Sequence, residues 1–236
     1  MIPEIYNGKN FSILFRARSG YGKTFLCEKK ATKIELNNFC FYEIKEAPGF
    51  YIQKRFHFID EIHIVKNVEY YYPFMDSGRF TFLFASNLSG RLPEAFKNRC
   101  IIFEFEDYKT ETIAEILSYF VKLPHEQLYY VAKNCKGNPR IAKMVGIRLN
   151  YMIKEKVIKS NAELEEILNQ LGIHKGGLTE IDLKYIDFVQ KFPKGISLSM
   201  IENTLGIDRE TITEEIEPFL LQKGILSISS KGRKIP

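Results

Sequence analysis

At 236 residues, with 45% hydrophobic and 27% charged side chains, the chain has the composition of a soluble globular protein with room for two or three compact units. No run of about 18 apolar residues occurs, and the opening MIPEIYNGKN has neither the basic nor the apolar region of a signal peptide, so no membrane partner is expected. The net charge of +5 permits an anionic partner without requiring one. Cys27, Cys40, Cys100 and Cys135 lack CxxC pairing and read as free thiols of a reducing, cytoplasmic compartment.

Short apolar runs predict strands over residues 11–15, 39–44, 56–60, 80–85 and 101–105, alternating with helical stretches such as 25–34. Such alternation implies βαβ units and a parallel sheet covered by helices, an α/β domain over residues 1–107. From residue 108 to 172 the pattern turns helical, with Ile113, Ile116, Leu117 and Phe120 at i, i+3, i+4, i+7 spacing. IHKGGL over 173–178 reads as a linker with two hinge glycines. Residues 173–236 then carry three helical patterns and a Gly-bounded strand pair, the order of a winged helix.

The first strand runs into Ser19-Gly20-Tyr21-Gly22-Lys23-Thr24, and a helical pattern follows. Strand, glycine-rich loop and helix N-terminus together form a phosphate cradle of backbone N–H groups. Lys23 is placed to meet the β- and γ-phosphates of ATP, and the Thr24 hydroxyl to ligate Mg²⁺. Ala17 stands where the P-loop pattern G-x-x-x-x-G-K-[ST] has its first glycine, which alanine can fill at negative φ.

Further residues extend the site. FHFIDEIH is an apolar strand ending in Asp60-Glu61: Asp60 for the Mg²⁺ shell, Glu61 to polarise an attacking water. The fourth strand ends in Ser86-Asn87, and Asn87, with Ser86 second, is the candidate to orient that water. Arg99, just before the last strand, is a candidate finger acting in trans on a neighbouring subunit's γ-phosphate. Gly137-Asn138-Pro139-Arg140 puts Arg140 in a helix's first turn, where the dipole disfavours a cation and an anionic partner is implied.

These residues resemble the RuvB family of Holliday-junction motors among the AAA+ ATPases. FIDEIH is similar to that family's Walker B strand and CKGNPRIAKMV to its second sensor helix. GLTEIDLKYIDFVQKF and GIDRETITEEIEPFLLQKGILSISSKGRKIP are similar in order and spacing to its winged helix. The resemblance implies a large ATPase domain, a helical lid and a DNA-touching winged helix, in a hexameric ring. Two departures accompany it. The stretch between Lys23 and Asp60 is short, so a core helix is expected to be trimmed. The stretch between Asp60 and Asn87 is too short for the hairpin by which the family docks its partner RuvA.

Residues 173–236 hold nine Lys+Arg and nine Asp+Glu, unevenly spread. Asp208, Glu210, Glu214, Glu215 and Glu217 make the helix in the recognition position acidic, which disfavours base reading in a major groove. Lys231, Arg233 and Lys234 make the wing tip basic and fit for sequence-independent contact with DNA phosphates. The functional expectation is an ATP-driven, ring-forming motor on duplex or branched DNA. The alternative is a nucleotide-dependent switch that loads a protein client, since Arg99-Cys100 beside Asn87 also resembles clamp-loader subunits. A degenerate, structural ATPase is disfavoured by the presence of Lys23, Asp60, Glu61 and Arg99.

Overall fold

The computed structural model describes residues 11–31, 39–42, 56–153 and 161–236, and the chain divides into two compact units, Met1–Asp107 and Tyr108–Pro236. In the first unit, β1 (Ser12–Arg16) leads through a loop to α1 (Lys23–Ala31). Strands β2 (Phe39–Tyr42) and β3 (Phe56–Ile59) follow, then short helices including α2 (Tyr72–Asp76), β4 (Thr81–Ser86), α3 (Glu94–Lys97) and β5 (Ile101–Glu104). All five strands are parallel, in the order β2-β3-β4-β1-β5. The five expected strands are thus present; residues 43–44 and 32–34, and most of the interval in which a core helix was expected to be trimmed, lie outside the described residues.

The near-continuous apolar runs of β3 and β4 follow from burial on both faces, as a parallel sheet requires. Alternate residues feed two cores. Ile13, Phe15, Phe58, Leu83 and Ala85 pack on one face. Leu14, Ile59, Ile62, Tyr71, Phe82, Phe84 and Phe96 pack on the other. Aromatic rings dominate the second core, with Phe84 and Phe96 in edge contact at 4.9 Å and Phe82 and Phe84 stacked at 5.4 Å. Strand β5 is an edge strand, and its Ile101 and Ile102 are largely exposed.

The second unit opens with α4 (Thr110–Ser118), α5 (His125–Lys133), α6 (Pro139–Met152) and α7 (Asn161–Gln170), which enclose Ile113, Leu117, Val131, Val145, Leu149 and Leu164. A separate core, built on Tyr185, Val189, Ile201, Ile212, Phe219 and Leu226, belongs to the C-terminal winged helix. That part comprises α8 (Glu180–Val189), α9 (Leu198–Leu205), α10 (Arg209–Thr211), a π-helical turn (Ile212–Ile216) and α11 (Glu217–Gln222). The wing is the antiparallel pair Ser227–Ser229 and Gly232–Lys234, joined by a bridge from Ile196 to Arg233.

The expected linker is corrected. Residues 173–179 form a tight antiparallel hairpin, Ile173–His174 with Leu178–Thr179, in place of a hinge. It is pinned: a Cβ on Gly177 would fall 2.8 Å from the Asn134 carbonyl oxygen, so only glycine permits this approach. Beside it, the Lys136 ammonium is paired with Asp182, whose side chain is 1% exposed, and lies 4.4 Å from the Phe219 ring centre. Asp182 also accepts from Thr179 N–H at 2.8 Å in a capping box that starts α8. One carboxylate thereby starts a winged-helix element and anchors the turn between α5 and α6.

No helix among the described residues is long and apolar enough to cross a membrane. Cys27, Cys100 and Cys135 are thiols outside any disulfide, and burial pushes the Cys100 and Cys135 thiols up to about 12.

Candidate nucleotide site

In a parallel sheet the strands share a direction, so the loops after β1, β3 and β4 leave at one edge, where open α/β sheets hold their ligands. Strand β4 pairs with both β1 and β3, so Asn87 follows the strand between the phosphate loop and the acidic pair. That is the order expected from the sequence.

The loop itself is built on Gly20 (φ 84°) and Gly22 (φ 80°), backbone positions that L side chains rarely adopt. Ala17 does not have positive φ, which is what alanine there requires, and its N–H donates to the Ser86 carbonyl at 3.3 Å. Lys23 is 6% exposed, and its ammonium donates to the carbonyls of Ala17 at 2.8 Å and Arg18 at 3.2 Å. Ser19 is exposed at the loop's outer turn. Tyr21 is buried, and its hydroxyl donates to Asp107, which also pairs with Arg18. Burial, reinforced by the Asp107 hydrogen bond, holds the Tyr21 phenol above its ordinary pKa, so it stays a neutral donor.

The Thr24 hydroxyl donates to Asp60 Oδ2 at 2.6 Å, joining the first and second motifs. Asp60 Oδ1 in turn accepts from the Glu61 N–H at 3.0 Å. A hydroxyl and a carboxylate converging beside a phosphate loop fit Mg²⁺, which takes one or two protein oxygens and completes its shell with waters and phosphate oxygens. No group of three or more His, Cys, Asp or Glu side chains that could hold a metal ion occurs among the described residues. Asn87 Oδ1 is buried without a hydrogen-bond partner among the described residues, as a side chain awaiting a water or ligand would be.

Glu61 adopts a left-handed backbone (φ 46°, ψ 43°), which costs a non-glycine residue on the order of 1 kcal/mol. Its Oε2 lies 3.3 Å from His63 Nδ1, and that nitrogen lies 3.1 Å from Ser86 Oγ. Sequence reasoning does not single out His63. Its only signal is an imidazole two residues beyond an acidic strand end, in a stretch without the glycine or proline that marks a turn. Asp107 is equally silent in the sequence, because its contacts with Arg18 and Tyr21 are remote along the chain.

Arg99 is exposed and engaged inside its own unit. Its guanidinium pairs with Asp76 at 2.9 and 3.1 Å and stacks on Tyr72 at 4.4 Å. The Asp76 hydrogen bonds hold its pKa above the ordinary arginine value. Arg140 belongs to the second unit, in the first turn of α6; Asn138 caps that helix by accepting from the Arg140 N–H at 2.9 Å.

The wing requires a correction. Arg233 is not a free phosphate-seeking cation: its guanidinium donates to Glu217 at 2.8 and 3.3 Å, and Tyr185 donates to the same carboxylate at 2.7 Å. Glu217 is 3% exposed, so the pair is interior. Lys231 and Lys234 remain exposed at the tip. Glu217 likewise leaves the acidic face of the recognition-position helix, whose exposed acids are Asp208, Glu210, Glu214 and Glu215.

Residues 175–236 match the family model described as RuvB C-terminal winged helix domain. The Holliday junction branch migration complex subunit RuvB of Mycoplasma genitalium is 29% identical over 206 residues, covering 75% of this chain and 66% of that protein. The subunit of the same name from Thermosipho melanesiensis is 30% identical over 169 residues, covering 67% of this chain and 54% of that protein. The chain therefore spans less than two thirds of the length of these relatives. Among solved structures, the Thermotoga maritima RuvB Holliday junction branch migration motor superposes with a TM-score of 0.77 at 26% identity, over 96% of this chain and 84% of that one. A point mutant of the same protein gives 0.79 at 25% identity with the same coverage. In relatives, in fold and in its C-terminal domain the chain is RuvB-like, an AAA+ α/β domain followed by a helical lid and a winged helix.

Proposed function

We propose that the chain is an ATP-driven DNA motor that assembles in a homo-oligomeric, hexameric ring in the cytoplasm. The observation that carries the reading is the Thr24–Asp60 contact beside Lys23, a hydroxyl, a carboxylate and an ammonium converging on one phosphate loop. Lys23 and the backbone of residues 19–24 would bind the ATP phosphates, exchanging the loop carbonyls of Ala17 and Arg18 for phosphate oxygens. Thr24 and Asp60 would hold Mg²⁺, which supplies charge neutralisation on the β- and γ-phosphates. In hydrolysis, a water oxygen bonds to the γ-phosphorus as the bond to the β-phosphate's bridging oxygen breaks. Glu61 takes the water's proton and Asn87 orients the water, giving ADP and inorganic phosphate. Arg99 would leave Asp76 to stabilise charge on a neighbour's γ-phosphate, and Arg140 would sense the nucleotide from the lid. Lys231 and Lys234 would touch DNA phosphates without reading bases.

A loader for a protein client is the second reading. It is favoured by residues 61–80, which form 3₁₀ turns and α2 with no protruding hairpin, and by the loss of Arg233 from the basic tip. ATPase rates measured with no DNA, duplex, single strands and four-way junctions separate the two. Stimulation by one DNA form supports the motor. DNA-independent turnover that rises only with a protein client overturns it.

A further inference from the structure

We propose that His63 is a positioning residue for Glu61, tying the carboxylate that activates water to the end of strand β4. The inference rests on the ATPase reading above and extends it to the last residue of FIDEIH, which the sequence analysis gives no role.

The geometry is specific. The His63 side chain is 5% exposed although it follows an acidic turn at a sheet edge. Its Nδ1 faces two oxygens, Glu61 Oε2 at 3.3 Å and Ser86 Oγ at 3.1 Å. Ser86 Oγ already accepts from the Leu88 N–H at 3.1 Å, so this hydroxyl is held in place from the β4 side. A carboxylate beside Nδ1 favours the tautomer with the proton on that nitrogen, because a bare lone pair there would repel the carboxylate oxygen. Nδ1 shares a hydrogen bond with Ser86 Oγ and lies within ion-pair range of Glu61 Oε2, so the imidazole links the turn after β3 to the residue preceding Asn87.

Such a link answers a mechanical need. Glu61 sits on a left-handed backbone, and a strained residue keeps its conformation only where neighbours over-determine it. Asp60 Oδ1 fixes its N–H. His63 acts on the other end, at the carboxylate. A base displaced by about 1 Å can lose on the order of a hundredfold in rate without any loss of substrate binding. The expected signature is therefore a fall in kcat with an unchanged KM.

The variants are His63→Ala and His63→Asn, the latter because the asparagine amide nitrogen takes nearly the position of Nδ1. Each is checked by thermal unfolding and by binding of a fluorescent ATP analogue. His63→Ala is expected to lower kcat about tenfold, with KM and nucleotide affinity within about twofold, and His63→Asn to recover most of the rate. In a Glu61→Gln background, His63→Ala should cost nothing further, since the group it positions is gone. An unchanged kcat in His63→Ala, a full additive loss on Glu61→Gln, or His63→Asn no better than alanine would each overturn the proposal. A nucleotide-free readout is independent of turnover: the His63 imidazole resonance, assigned by its disappearance in His63→Asn, should move on Glu61→Gln. No movement would also overturn the assignment. If Glu61→Gln hydrolyses ATP at the wild-type rate, it is the assignment of Glu61 as the water-activating base that fails, and a positioning role for His63 in catalysis fails with it, while the resonance shift still tests the contact itself.

Discussion

Arg233→Ala is the substitution that best separates a structural cation from a DNA-binding one. In the native winged helix its guanidinium makes two charge-assisted bonds to Glu217, a carboxylate 3% exposed, and Tyr185 supplies a third donor. Burial and the Glu217 carboxylate hold the Tyr185 phenol well above its ordinary pKa, so tyrosine remains a neutral donor and cannot replace the lost charge. Removing one partner of a buried pair typically costs about 3–5 kcal/mol, because the survivor is left charged in a poorly solvating interior. Tyr185 still serves Glu217, and the arginine side chain is 18% exposed, so the low end, about 3 kcal/mol, is the expected loss. For a unit the size of Tyr108–Pro236 this corresponds to a fall of roughly 10 °C in its melting temperature, measured by calorimetry or far-ultraviolet circular dichroism. Replacing the whole network by apolar residues of similar volume, Tyr185→Phe with Glu217→Leu and Arg233→Met, should recover most of the loss. Lys231→Ala and Lys234→Ala, on exposed positions, should stay within about 0.5 kcal/mol of wild type. An Arg233→Ala protein as stable as wild type would refute the structural assignment and return Arg233 to the set of DNA contacts.

Three further outcomes are expected. Lys23→Ala should abolish binding of a fluorescent ATP analogue, since Lys23 is the cation of the phosphate loop held against its carbonyls; retained tight binding would mean the site is misplaced. Lys136→Ala should destabilise the second unit by about 2 kcal/mol, less than a fully orphaned charge because Asp182 keeps its Thr179 donors. Hydrogen exchange should rise in the 173–179 hairpin, and unchanged protection there would count against Lys136 as an anchor. Lys231→Ala with Lys234→Ala should flatten the plot of log DNA affinity against log salt by roughly 0.9 per lost contact, equally for all duplex sequences. An unchanged slope would remove the wing from the DNA path and favour the loader.

Much of the site is legible in the amino-acid sequence because its parts are local. A phosphate loop needs Gly20 and Gly22 for left-handed backbone, then Lys23 and Thr24 at a helix start, all within a few residues. The buried strands announce themselves as near-continuous apolar runs, since a sheet covered on both faces has no polar side to alternate with. Strand order then brings Asp60 to Thr24 as the motifs imply.

What the sequence could not decide is which charges are consumed by partners remote in the chain. Lys231, Arg233 and Lys234 look alike as a basic run, yet only folding brings Glu217 against Arg233 and leaves the two lysines in water. IHKGGL has the composition of a hinge, but Gly177 is there to let two backbones approach, and Lys136 with Asp182 locks the hairpin beside it. His63 meets Glu61 and Ser86 only because the chain turns sharply after β3 and β4 lies next to it. Periodicity and motif spacing report contacts along one element. The cost of burying a charge is settled between elements, so the tertiary structure alone decided which acids and bases are struts and which are left to act.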